Sequence, residues 1–213
     1  MKHLIINADD FGYSRIFNDA ILRLGEKGFI SSTTVMVNWV TAKQVSQIKE
    51  LKDLAEARKI SVGLHLEFTD DNFRSEIERQ YDKYISLFGF NPSHIDIHKS
   101  MFLKEAFPVV IDFCREHNLP CRNHKIEMAG VVTTQNEVVS GTKLSFEELK
   151  TMIETFRDGE SYEILFHPGT YDPDSKSSLN KERELDVQKI EGIQPFLKAN
   201  GIKLISYIDL ASI

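Results

Sequence analysis

Acids and imidazoles gather at the ends of apolar runs in this sequence. LIINADD closes on Asp9 and Asp10, and SVGLHLE carries His65. SHIDIHKS sets His94, Asp96 and His98 two residues apart, and YEILFHPG holds Glu163 and His167 ahead of Pro168–Gly169. At a strand's period of two, His94, Asp96 and His98 share one face, and Ile95 and Ile97 share the other. Burying such groups unpaired costs several kcal/mol apiece, and a bound metal ion removes that cost. One carboxylate with two imidazoles is a three-ligand set that leaves coordination positions open for water and substrate. A metal so held lowers the pKa of bound water and polarises a carbonyl oxygen. Hydrolysis of an amide or ester then needs a base for the water and an acid for the leaving group. One Asp of the pair can ligate while its neighbour stays free as base. His167, on a separate strand, can protonate a leaving amine.

The elements that must position these groups alternate along the chain. Apolar patterning predicts strands over His3–Ala8, Ser32–Val37, Ile60–Leu66, His94–His98, Leu119–Arg122, Glu163–His167 and Lys203–Tyr207. Helical period predicts helices near Arg15–Lys27, Ala42–Arg58, Arg74–Leu87, Phe107–His117, Ser145–Asp158 and Lys181–Ala199. Ser145 with Glu148 reads as a capping box, and Gly201 after Asn200 as a helix stop. Units of about thirty residues are the size of a parallel crossover, which implies an α/β fold with a parallel sheet inside helices. An open doubly wound sheet and a barrel both satisfy that pattern. No glycine-rich dinucleotide fingerprint follows the first strand. In either architecture ligands bind at the carboxyl ends of the strands, where the acids and imidazoles lie.

Composition sets outer bounds. The chain has 213 residues, 41% hydrophobic and 27% charged, with 26 basic against 32 acidic residues for a net charge of −6. That balance argues against nucleic acid and against an anionic membrane surface as partners. Only Cys114 and Cys121 are available, so no disulfide framework is expected. Asp9 and Asp10 come too early for a signal peptide, and no run approaches a membrane span, so a cytoplasmic protein is expected. One domain over 1–213 is the simpler organisation. The charge-rich stretches Lys49–Lys59 and Asp172–Glu184 read as solvated helix face or loop. The 14 phenylalanines are ordinary core material, although they also permit an apolar homodimer interface.

NADDFG at 7–12, SSTTVMVN at 31–38, GLHL at 63–66, HIDIH at 94–98 and HPG at 167–169 together resemble the YdjC-like carbohydrate deacetylases, in order and spacing, from Leu4 to about Tyr207. The resemblance implies a TIM-barrel-like fold, a distorted or incomplete (β/α) barrel of about seven parallel strands. It also implies a divalent metal, Mg2+ by family habit, and removal of N-acetyl groups from N-acetylglucosamine-containing oligosaccharides, phosphorylated or not. Carried over by motif, it places metal ligands at Asp10, His65 and His98, the general base at Asp9 and the acid at His167. It places substrate contacts at Asn38, Arg122 and Asp96; Asp96 is equally suited to supporting a ligand histidine. Zn2+ or Mn2+ suits two imidazoles and a carboxylate at least as well as Mg2+. The sequence departs from the family at Ile97, at Ser100 and Phe102, and in the short 67–72 connection, which bears on the substrate rather than the metal. The same ligand set would also serve a metal hydrolase of another amide, ester or phosphoester, or a structural ion in a sugar-binding or regulatory module.

Overall fold

The computed structural model describes residues 1–69, 71–100 and 104–213. Asp70 of the 67–72 connection and Phe102 therefore lie outside the described residues. The strands are β1 (Lys2–Phe11), β2 (Ser32–Val35), β3 (Ser61–Leu66), β4 (Ile95–Ile97), β5 (Val139–Ser140), β6 (Ser161–Phe166) and β7 (Ile202–Leu204). The helices are α1 (Arg15–Glu26), α2 (Val45–Glu56), α3 (Phe73–Phe88), α4 (Phe107–His117), α5 (Phe146–Glu154) and α6 (Arg183–Ala199). All strand pairs are parallel, in the order β4-β3-β2-β1-β6-β5. β7 lies against Lys2–Leu4 of β1, below the point where β2 begins to pair. The result is α/β, a curled seven-strand sheet forming a distorted, incomplete barrel.

Local signals account for the helix ends. The Ser145 hydroxyl accepts from the Glu148 amide, and the Glu148 carboxylate accepts from the Ser145 amide, closing the capping box at α5. Gly201 follows α6 with φ +65°, the left-handed region where glycine carries no steric cost.

One expected strand is absent and an unexpected one takes its place. Leu119–Arg122 is no strand; it makes a single parallel bridge from Cys121 to Ile95. Pro120 has no N–H to extend a ladder, although its carbonyl accepts from Ile95. Val139–Ser140, too short to carry a pattern, is the strand that instead joins β6. The Val138 amide donates to the Asn123 carbonyl, so the 121–123 segment still links the two outer strands.

The two faces of the strands are chemically opposite. Leu4, Ile6 and Ala8, Val62, Leu64 and Leu66, Ile95 and Ile97, and Ile164 and Phe166 pack with the helices in the main core. Each such aliphatic side chain contributes about 1.5–3 kcal/mol of transfer free energy. That outer layer holds together a barrel whose inward positions are polar: Asn7, Asp9, Ser32, Thr34, Ser61, His65, Asp96 and Glu163, all buried. A small second core of Ile5, Ile205, Tyr207 and Leu210 closes the amino-terminal end of this interior. The expected strand Lys203–Tyr207 stops at Leu204 because the chain then turns under the barrel, where the Tyr207 hydroxyl donates to Glu163 at 2.5 Å. His94 lies flat on Tyr207, ring centroids 3.6 Å apart, as packing rather than as a ligand. Gly63 makes room for it: a Cβ there would sit 2.4 Å from the imidazole. Cys114 and Cys121 are buried free thiols. Among the described residues no helix is long and apolar enough to cross a membrane.

Candidate active site

Consecutive residues of a regular strand face opposite ways, so Asp9 and Asp10 ought to part. The pairing of β1 with β2 slips between Ala8 and Phe11, and Asp10 takes φ +72°. Such a bulge re-aims side chains, at about 1–2 kcal/mol for a non-glycine left-handed residue. Both carboxylates enter the interior and both are buried.

Asp10 Oδ1 stands 3.4 Å from His65 Nε2 and 3.4 Å from His98 Nδ1, and the two nitrogens are 3.1 Å apart. One carboxylate oxygen and two imidazole nitrogens thus converge from β1, β3 and the turn after β4. Asp10 Oδ1 is buried and has no hydrogen-bond partner. A carboxylate oxygen orphaned between two ring nitrogens is costly unless a cation sits among them, so the residues present fit a metal. Asp10 Oδ2 accepts from Arg183 at 2.6 Å, which leaves one oxygen for coordination. Despite burial, which raises it, the Asp10 carboxyl is held well below its usual range by His65, His98, His167 and Arg183. Burial alone would lower the pKa of His65, but Asp96, Asp10 and Asp9 push it up to about 10. Without an ion, His65 takes up the missing positive charge as a proton.

His65 Nδ1 bonds Asp96 Oδ1, the support that fixes a ligand imidazole's orientation. Arg122 stands in ion-pair contact with the other Asp96 oxygen, holds Asp9 through two N–H groups at 2.7 and 3.0 Å, and reaches Glu163 through Nε at 2.9 Å. A second grouping of donors, Asp9 with His65 and Asp96, is therefore already occupied by a guanidinium. Burial pushes Glu163 up to about 7, with Arg122 and Tyr207 opposing. Every polar group of Arg122 is taken by a carboxylate, and Asp96 lies wholly inside the protein. Asn38, also expected at the substrate, accepts at Oδ1 from Arg79 of α3 at 3.0 Å.

His167 follows β6 on the far side of Asp9, with Nε2 3.9 Å from Asp9 Oδ2. The Thr142 hydroxyl donates to Asp186 Oδ2 at 2.5 Å and so accepts from His167 Nδ1 at 3.0 Å. That arrangement puts the ring proton on Nδ1 and leaves Nε2 facing the interior. Asp186 Oδ2 also accepts the His167 amide at 2.9 Å.

Sequence reasoning missed Arg183, Asp186 and Thr142. Reading Asp172–Glu184 as solvated was wrong at its most important members, since Asp172 and Arg183 are buried. The signal was present: Arg183, Asp186, Ile190, Ile193 and Leu197 form one buried stripe of α6 at helical spacing. Two charges on an apolar stripe mark a site rather than a surface. Arg183 also stacks over the Phe17 ring at 3.9 Å. Gly169 of HPG lets that stack pass, because a Cβ there would lie 2.8 Å from Phe17 and 3.0 Å from Arg183. Thr142 had no local signal.

The chain matches the profile of the YdjC-like protein family over residues 3–75 and 70–199. A carbohydrate deacetylase from Clostridium beijerinckii is 29% identical over 249 aligned positions, covering 97% of this chain and 99% of the relative. A chitooligosaccharide deacetylase from Proteus mirabilis is 29% identical over 258 positions, covering 99% of this chain and 100% of the relative. Both alignments are longer than the 213 residues here, so these relatives carry insertions that this chain lacks. A solved structure from Enterococcus faecalis, assigned to cellobiose-phosphate cleavage, superposes with a TM-score of 0.80 over 98% of each chain at 22% identity, a likeness of fold.

Proposed function

This chain belongs to the YdjC-like protein family, and from that premise we propose that it is a metal-dependent hydrolase that removes N-acetyl groups from N-acetylglucosamine-containing oligosaccharides. The observation that carries the reading is the orphaned Asp10 oxygen between His65 Nε2 and His98 Nδ1, with Asp9 and His167 beside it. Asp10, His65 and His98 would hold a divalent ion, and three protein donors leave positions for water and substrate. When bound, the ion supplies Lewis-acid polarisation of the acetyl carbonyl and acidifies a water.

The chain's own groups do the proton work. Asp9 Oδ2 takes the proton of the attacking water while Arg122 fixes the plane of its carboxylate. The water oxygen bonds to the acetyl carbon, the C–N bond breaks, and acetate and a free amine result. His167, protonated, delivers a proton from Nε2 to the departing nitrogen, with Thr142 and Asp186 holding its other nitrogen. Arg122 and Asp96 act by positioning Asp9 and His65. Magnesium prefers oxygen ligands, so the two imidazoles favour manganese, zinc or iron.

The test is acetate release from N,N′-diacetylchitobiose and N,N′,N″-triacetylchitotriose by protein loaded with Mg2+, Mn2+ or Zn2+. Acetate is expected with at least one metal and is lost in chelator. No acetate from either sugar, phosphorylated or not, with any of the three metals refutes the assignment.

A further inference from the structure

Two of the large apolar side chains that are well exposed are aromatic, Trp39 at 42% and Tyr171 at 49%. Trp39 lies just beyond β2 and Tyr171 just beyond β6, so both stand at the carboxyl rim of the barrel, where ligands of parallel βα folds bind. Exposed tryptophan forfeits burial, and at the rim of a site that loss is explained by a ligand.

Trp39 is held in place from three sides. Its ring stacks on Tyr13 with centroids 4.5 Å apart and planes 17° from parallel. Its indole N–H donates to Glu67 Oε2 at 3.0 Å, and Glu67 follows His65 by two residues. The preceding residue, Asn38, is tied to Arg79. The Tyr13 amide donates to the Asp10 carbonyl at 3.1 Å, so the stack rises directly from the bulge that carries the metal-site carboxylate. A rigidly held, 42% exposed indole loses little entropy when it receives a ring.

We propose that Trp39, backed by Tyr13 and tethered by Glu67, is the platform on which a pyranose ring of the substrate stacks beside the metal site. A pyranose has an apolar C–H face that matches an indole and hydroxyls around its edge that match the Glu67 carboxylate. The proposal rests on the deacetylase reading for the identity of the sugar. It assigns Trp39 to affinity and placement rather than to bond breaking.

The chain has one tryptophan, so its fluorescence reports on this residue alone. Titrating the metal-free protein in EDTA with triacetylchitotriose should give a saturable change in Trp39 emission. By calorimetry, Trp39→Ala should weaken that binding more than tenfold, while Trp39→Phe, which keeps a ring on Tyr13, should recover most of it. With metal, Trp39→Ala should raise KM more than tenfold and lower kcat less than threefold. Sugar binding with unchanged Trp39 emission, or equal affinity in Trp39→Ala, overturns the platform. A saturating emission change without acetate release upholds the platform and defeats the deacetylase reading. Acetate release with an unaltered KM in Trp39→Ala does the reverse.

Discussion

Replacing Arg122 with Met tests whether one guanidinium organises the interior. Arg122 is buried and is shared by Asp9, Asp96 and Glu163. Removing one partner of a buried ion pair costs about 3–5 kcal/mol, because the remaining charges lose compensation. The loss here is not tripled: Asp9 keeps Asn7 at 2.6 Å, Asp96 keeps His65, and Glu163 keeps Tyr207. At about 2–4 °C per kcal/mol for a chain of this length, Tm should fall by roughly 6–20 °C. Burial opposes it, but Arg122 and His65 hold the Asp96 carboxyl below its usual range in the native protein. Without Arg122 that hold weakens, and the Glu163 carboxyl, pushed up to about 7 by burial while Arg122 opposes, keeps its proton in the folded state to still higher pH, where the unfolded chain has lost it. The variant's stability then falls as pH rises, and its deficit against wild type widens from pH 5 to pH 8. Thermal unfolding in EDTA, followed by circular dichroism at both pH values, measures this. A fall in Tm below 2 °C, or an equal fall at pH 5 and pH 8, would mean that Arg122 contributes packing alone and would refute the reasoning.

Three further outcomes are expected. His98→Ala should bind less than a tenth of a molar equivalent of Mn2+ by atomic absorption, whereas Asp9→Asn should keep near-full metal and lose at least a hundredfold in kcat; equal metal loss in both moves Asp9 among the ligands. His65 binds a proton with a pKa of about 10 without an ion, so metal must displace it; log K for Mn2+ should rise by about one per pH unit from 6 to 9, and a flat profile contradicts the ligand role. Burial, with Arg122 and His65 adding, pushes His94 down to about 3. This depressed pKa gives stability that is complete above pH 6.5 and lost as pH falls toward 3. His94→Gln should flatten that part of the acid-unfolding curve, and an unaltered slope places the titration elsewhere.

The alternation of strand and helix, the outward apolar residues and the acids and imidazoles at strand ends were legible because each is a local period or a local neighbour. His94, Asp96 and His98 could be grouped from their spacing in HIDIH alone, whereas His65 of GLHL joined them only through the family resemblance. Arg183 and Asp186 were legible in principle as charges on the buried stripe of α6, and were overlooked because the surrounding run is so highly charged.

What the sequence alone determined, then, is the supply: a parallel α/β frame, a hydrophobic outer layer, and the residues able to bind a metal and move protons. Tertiary structure decided their division of labour. Asp9 and Asp10 face the same interior only because the strand bulges between its partners. Arg122, from a segment broken by Pro120, becomes the hub of three carboxylates, and Thr142 and Asp186 come from different elements to orient His167. None of these contacts has a period, since they join residues 19 to more than 100 positions apart. They form because a buried charge left without compensation costs several kcal/mol, which a contact between distant elements offsets.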